Sequence, residues 1–208
     1  MKKLLIIGAG GFGREMLAWC RQHPDHGRAW SFEAFLDDNP DALAGFGSFA
    51  PVRPLAGHRP GPDEVFVCGL GLPAVKEPLV RPLLDRGAEF LTFIHPSAVV
   101  GERVRLGRGV VVCPGAVLSA DIELDEFVLV NLNSTVGHDA RIGPWSTLSA
   151  QCDVTGHVRL GARVFLGSRA TVIPRRVVGD GVTVGAGAVV VADVPPGVTV
   201  FGVPARQL

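Results

Sequence analysis

The stretch that decides the fold runs unbroken from Val99 to Val194. Read in sixes it gives sixteen blocks: VVGERV (99–104), RLGRGV (105–110), VVCPGA (111–116), VLSADI (117–122), ELDEFV (123–128), LVNLNS (129–134), TVGHDA (135–140), RIGPWS (141–146), TLSAQC (147–152), DVTGHV (153–158), RLGARV (159–164), FLGSRA (165–170), TVIPRR (171–176), VVGDGV (177–182), TVGAGA (183–188) and VVVADV (189–194). The second position is always Val, Leu or Ile, and the sixth is small or aliphatic in every block but the one that carries Arg176. The third is Gly in half of them. A period of six fits neither an amphipathic helix nor one long alternating strand. It fits a short strand, a tight turn and the same again, which is a solenoid with a parallel β-helix core. Each second-position side chain is expected to point into the coil, where burial contributes about 1.5–3 kcal/mol. The third position is expected to turn the corner at positive φ, which Gly takes freely and Asn or Asp tolerate. The sixth also faces inward, where space is tighter.

The rest of the chain is read outward from that register. At 208 residues one or two domains are expected. A formal charge of zero and a pI near 7.0 leave no electrostatic footprint for nucleic acid or an acidic membrane. No apolar run approaches the length of a membrane span. Cys20, Cys68, Cys113 and Cys152 show no CxxC spacing, so they read as reduced thiols of a cytosolic protein. The opening MKKLLII is too short in its apolar part for a signal peptide and leads straight into glycines. A soluble, cytoplasmic protein is expected.

Residues 1–94 read as a small Rossmann-like α/β domain and 95–208 as the β-helix with a C-terminal cap. Residues 2–7 form a buried strand, Gly8-Ala9-Gly10-Gly11-Phe12-Gly13 follows, and residues 14–21 read as a helix. Strand, G-x-G-x-x-G and helix together are the context of a dinucleotide fingerprint. Glycines there let a backbone approach a pyrophosphate, and the helix N-terminus supplies N–H groups. A second strand, 32–36, ends in Asp37-Asp38, roughly where a carboxylate meets a ribose or base. A ligand-free tight turn, and Asp37 as a strand-end cap, are the plainer alternatives. NAD is disfavoured, because so short a domain leaves no room for two mononucleotide halves. Residues 39–63, rich in Pro, Gly and Ala, read as a surface loop, 64–70 as a third strand and 74–86 as a helix. Residues 89–94 read as the last strand of this domain, and the prolines after Val194 as a stop to the repeat.

Within the repeat, His138 stands at the fourth position of its block, on the outside of the coil, beside Asp139. A lone outward histidine is commonly just solvated. A neighbouring carboxylate adds a chemical use, since it can hold one tautomer and stabilise the imidazolium. His157 lies nineteen residues on, either a plain surface residue or half of a metal site; too few histidines are present for the latter to be preferred.

The repeat resembles the hexapeptide acyltransferases, whose left-handed β-helix takes three hexads per coil. GAGGFG, FLDD, IHPSAVVG, NSTVGHDARIG and the GVPAR tail together resemble the NeuD/PglD-type sugar acyltransferases over essentially the whole chain. That resemblance implies transfer of an acetyl group from acetyl-CoA, without a metal, to the amine of a nucleotide-linked 4-amino-4,6-dideoxy sugar for a surface glycan. It implies His138 as general base and Asp139 as its acidic partner. It places the nucleotide sugar on Gly8, Gly10, Gly11, Gly13, Asp37 and Asp38, and CoA along the coils near Gly156 and Ala186. It also implies a homotrimer with active sites between subunits, for which Phe165, Val177 and Val189 supply outward apolar positions. Some relatives carry a second histidine where this chain has Thr147. The alternatives are O-acetylation of sialic acid or a related sugar, and a non-catalytic β-helix scaffold.

Overall fold

Each hexad becomes a two-residue strand at its first and second positions, and the four residues that follow make the turn. Inside the repeat each strand pairs in parallel with those eighteen residues before and after it: Glu123 lies between Arg105 and Arg141, Leu129 between Val111 and Thr147, Thr135 between Val117 and Asp153. Three hexads thus make one coil, and the strands form three sheets. The computed structural model describes residues 1–46 and 50–208. Its contacts divide the chain into two units, Met1–Leu91 and Thr92–Leu208.

The core of the second unit follows from the register. Second positions such as Val130, Val136, Ile142, Leu148 and Val154 and sixth positions such as Val128, Ala140 and Cys152 fill one continuous interior. The hydrogen bonds that hold the coils run between successive turns, from Thr135 N to Cys152 O and Gly137 N to Val154 O, for example. Two sixth positions are serines, and burial leaves neither unpaired: Ser134 Oγ donates to Ser149 O and accepts from Cys152 N, and Ser146 Oγ does the same with Gly161 O and Val164 N.

The turn itself corrects the sequence expectation. Positive φ falls on the fifth position, not the third, at Arg103, Gly109, Asp121, Phe127, Asn133, Asp139, Trp145, Gln151 and His157 among others. The third-position glycines serve close approach instead. A Cβ on Gly143 would stand 2.6 Å from the backbone carbon of Gly161, and one on Gly137 would stand 2.6 Å from Gly156 N. Stacking eighteen residues apart, rather than backbone handedness, is what selects glycine there.

Both ends of the repeat also differ from expectation. The segment 89–94 divides: Phe90 bridges in parallel to Phe66 at the edge of the first sheet, as expected, whereas Phe93–Ile94 pairs in parallel with Val111–Val112 and is the first rung of the solenoid. Beyond the prolines, Thr199 and Val200 pair with Thr183 and Val184 to add another rung, and Val200 and Phe201 pair antiparallel with Gln207 and Arg206.

The first unit is a four-stranded parallel sheet with two helices. In chain order it comprises β1 (Lys2–Ile7), α1 (Gly11–Gln22), β2 (Trp30–Leu36), β3 (Val52–Arg53), β4 (Glu64–Cys68) and α2 (Pro73–Asp85), with strand order β3-β2-β1-β4. Leu4 to Ile7 are fully buried at its centre, the near-continuous apolar run that a parallel strand covered on both faces requires. The loop expected over 39–63 contains β3, which pairs with β2; residues 47–49 of it lie outside the described residues. Helix α2 keeps Pro78 and Pro82 inside it and buries Pro73, Lys76, Val80 and Leu83 along one face. Lys76 is 1% exposed, and burial pushes its ammonium down to about 8. All four cysteines are free and buried, and burial pushes the thiol of Cys20 up to about 12 and that of Cys152 to about 11.

Candidate active site

The solenoid brings residues of one vertex together every eighteen positions. At the fifth position this vertex carries Arg103, Asp121, Asp139, His157 and Arg175 in successive coils; at the fourth position His138 is followed by Gly156. Asp139 and His157 share φ values of 59° and 61°, so they leave the backbone in the same way.

His138 Nδ1 lies 2.8 Å from Asp139 Oδ2. An ionised carboxylate only accepts, so Nδ1 donates to it, and in the neutral ring Nε2 is the nitrogen with the lone pair. The two side chains are 58% and 46% exposed, open to an incoming substrate. Gly156 forms the floor beneath the ring: a Cβ there would stand 2.8 Å from His138 Nε2 and 2.9 Å from Cε1. His157 reaches the same carboxylate from the next coil, its Nε2 3.8 Å from Asp139 Oδ2, and the two imidazoles meet edge to face with centroids 5.1 Å apart.

The charges around the pair are largely occupied elsewhere. Arg103 donates from Nε and a terminal nitrogen to the two oxygens of Asp121, at 2.5 and 2.8 Å. That hydrogen-bonded guanidinium holds the Asp121 carboxyl below the usual range, with His138 contributing in the same direction. The guanidinium of Arg159 donates to the main-chain carbonyl of Asp139 rather than to its carboxylate. Arg103, Asp121 and Arg159 escaped the reading of the sequence, although eighteen-residue steps from Asp139 lead straight to the first two.

Ala186, placed with Gly156 in the sequence reading, stands at a different vertex, in the column of Leu132, Ala150 and Ser168. Thr147 is buried on the strand Thr147–Leu148. Of the outward apolar positions, Val177 is 49% exposed, and Phe165 and Val189 are half-buried.

The glycine loop of the first unit divides into two kinds of position. Gly8 has φ 89°, and a Cβ on it would lie 2.6 Å from the Leu70 side chain; a Cβ on Gly13 would lie 1.9 Å from Gly8 O. Both are demanded by packing. Gly10 has open space around its Cβ position, and the nearest atom to that of Gly11 is an Arg14 nitrogen at 4.0 Å. Gly10 is the N-cap of α1, and no side chain caps the helix there. Asp37 Oδ2 accepts from Ala9 N at 2.8 Å and Oδ1 from Asn39 N at 2.9 Å, which pins the loop to the end of β2. Asp38 Oδ1 accepts from Leu55 N at 2.9 Å and Ala56 N at 2.7 Å, beside a cleft of about 220 Å³ lined also by Leu79, Leu83 and Arg86.

No protein-family model matches the chain. Comparison with individual proteins is informative over its full length. The acetyltransferase domain of PglB from Neisseria gonorrhoeae FA1090 superposes with a TM-score of 0.90 at 31% identity, covering 100% of both chains. PerB from Caulobacter crescentus, solved in complex with CoA and GDP-perosamine, gives a TM-score of 0.86 at 32% identity, covering 100% of this chain and 98% of that one. GDP-perosamine N-acetyltransferase from Escherichia coli O157:H7 is 29% identical over 213 residues, 98% of this chain and 95% of that protein. A repeat of six that stacks at eighteen, an acid–histidine pair on one of its turns and these full-length matches agree: the chain belongs to the hexapeptide-repeat acyltransferases of the left-handed β-solenoid type, together with the PglB acetyltransferase domain and the perosamine N-acetyltransferases.

Proposed function

We propose that the protein transfers the acetyl group of acetyl-CoA to the amine of a nucleotide-linked 4-amino-4,6-dideoxy sugar, in the assembly of a surface glycan. The observation that carries the reading is the His138–Asp139 pair, with Nδ1 held at 2.8 Å and Nε2 directed away from its carboxylate partner. The relatives add the substrate class, since a solved structure of one holds CoA and GDP-perosamine. The sugar amine attacks the thioester carbonyl and the C–N bond forms. Its proton passes to His138 Nε2, Asp139 stabilises the imidazolium, and the CoA thiolate leaves as the C–S bond breaks. No covalent enzyme intermediate is needed, because a thioester is already activated.

In the same proposal the first unit is a Rossmann-like nucleotide-sugar domain. Gly10, Gly11 and the N-terminus of α1 receive the diphosphate, Gly8 and Gly13 shape the loop, and Asp37 and Asp38 fix it against β2 and the segment after β3. CoA lies along the coils past Gly156, with Ala186 at a neighbouring vertex. The active unit is a homotrimer working in the cytoplasm; no helix among the described residues is long and apolar enough to cross a membrane.

The test is turnover. Purified protein and acetyl-CoA are incubated with GDP-, UDP- and dTDP-linked 4-amino-4,6-dideoxy sugars and with sialic acid, and products are read by mass spectrometry. Acetylation of one amino sugar is the expected result, and acetylation of sialic acid alone overturns the choice of an amine. His138→Ala lowers kcat by about 10²–10⁴ with KM for both substrates little changed; a variant that keeps its kcat removes His138 from the role.

A further inference from the structure

We propose that His138, Asp139 and His157 form a binding site for a divalent transition-metal ion such as Zn²⁺, and that its occupancy switches off the base at His138. The second half rests on the function proposed above; the first half stands on geometry alone. One ligand-capable atom from each of the three residues lies within 4.8 Å of the others. Asp139 Oδ2 is the common atom, 2.8 Å from His138 Nδ1 and 3.8 Å from His157 Nε2. Bonds of about 2.0–2.2 Å in a tetrahedral site separate the ligand atoms by about 3.3–3.5 Å. An ion therefore opens the shortest gap by less than about 1 Å and closes the others by about 1.5 Å or less. All three side chains are at the surface, His157 37% exposed, so these shifts disturb no packing.

The repeat itself sets the donors in place. Asp139 and His157 occupy the same turn position one coil apart, and His138 adjoins the first of them. The nearby cations do not take the carboxylate: Arg103 is spent on Asp121, and Arg159 on the main-chain carbonyls of Asp139 and Val158. Two imidazoles and one carboxylate suit Zn²⁺, Co²⁺ or Ni²⁺; Mg²⁺ and Ca²⁺ want more oxygen donors. Either mode of binding disables the base. An ion on Nε2 uses the lone pair that accepts the proton, and an ion on Nδ1 moves the ring proton to Nε2.

The experiment uses the tag-free, full-length protein. Titration with ZnCl₂ by calorimetry, and with CoCl₂ followed by visible absorption, is expected to give one ion per chain. His157→Gln is expected to weaken both by at least about tenfold. The repeat accommodates that substitution, since Gln151 takes φ 62° at the equivalent position. In acetyl transfer, Zn²⁺ inhibits the native protein, EDTA restores it, MgCl₂ has no effect, and His157→Gln, measured against its own metal-free rate, loses a much smaller fraction of its activity at the same Zn²⁺ concentration. Absence of Zn²⁺ and Co²⁺ binding, or binding that His157→Gln leaves unchanged, overturns the site. Binding with no inhibition overturns the switch alone, and because binding is read without turnover, failure of the acetylation reading leaves the site still tested.

Discussion

The two units of this chain ask for glycine in different ways. In the solenoid the third-position glycines answer a repeated demand, the approach of one coil to the next, and half of the hexads meet the same demand with Cys, Ser, Asp, Asn, Thr, Ile or Val. In the first unit Gly13 answers a contact set by one loop and not by a repeat, its Cβ position 1.9 Å from Gly8 O. A repeated rule has neighbours that show how it can be bent. A contact set by one loop has none.

That contrast orders the expected effects. Gly13→Ala should be the most damaging, more than about 3 kcal/mol, because backbone must move on both sides of the clash. Gly143→Ala, with its Cβ 2.6 Å from the Gly161 backbone, should cost about 1–3 kcal/mol, less than Gly13→Ala because its contact is longer. Hydrogen exchange of the peptides over β1 and over Arg141–Ile142 separates the two local effects. Equal loss of protection breaks the comparison.

Lys76 is the next largest. It sits on the buried face of α2 beside the Cys68 thiol, which burial pushes up. Below about pH 8 the ammonium is charged in both the folded and unfolded chain, and the folded state carries a cost for burying it. Between about 8 and the unfolded value near 10.4 the folded chain releases its proton first, so the unfolded state binds more protons and stability rises with pH. Lys76→Met removes this slope. The stability gap between the variant and the native protein, largest at pH 7, should shrink by about 3 kcal/mol as pH approaches 10.5. A gap that is flat with pH, by denaturant titration at each pH, refutes the assignment.

Gly156→Ala tests the floor of the proposed active site. The added methyl stands 2.8 Å from His138 Nε2, and because that side chain is exposed the ring yields rather than the backbone. Displacement of a base by a few tenths of an ångström to 1 Å should lower kcat by about 10–100-fold, and acetyl-CoA affinity, measured by calorimetry, should fall as well where the co-substrate passes this glycine. Loss of CoA affinity with kcat intact would make Gly156 a contact for the co-substrate alone and leave His138 unaffected by it.

How much of this was legible follows from the same contrast. The solenoid was readable because second positions from Val100 to Val190 repeat one chemical demand. The pair His138–Asp139 was readable because its members are adjacent. The turn was misread: glycine has two uses, close approach and positive φ, and composition alone does not separate them, so Phe127 and Trp145 at positive φ were unforeseen. Arg103 and Asp121 were hidden only by distance in sequence. Lys76 was hidden by its type: its spacing with Pro73, Val80 and Leu83 marks a buried face, but a lysine is read as surface. Phe93–Ile94 was legible as strand but not as a rung of the solenoid, because a two-residue strand has no period of its own.

The smallest effect is the sharpest test of the glycine loop. Gly10 has φ −69° and no atom within 4 Å of its Cβ position, so neither strain nor a clash opposes alanine. As an N-cap, glycine is preferred to alanine, and Gly10→Ala should lower stability by about 0.5–1 kcal/mol. If the loop admits a diphosphate, the methyl occupies space the phosphate oxygens need beside the first N–H groups of α1. KM for the nucleotide sugar should then rise about tenfold, a loss of about 1.4 kcal/mol of binding, with kcat and KM for acetyl-CoA unchanged. An unchanged KM for the nucleotide sugar makes the open glycines a turn like any other and moves the diphosphate away from this loop.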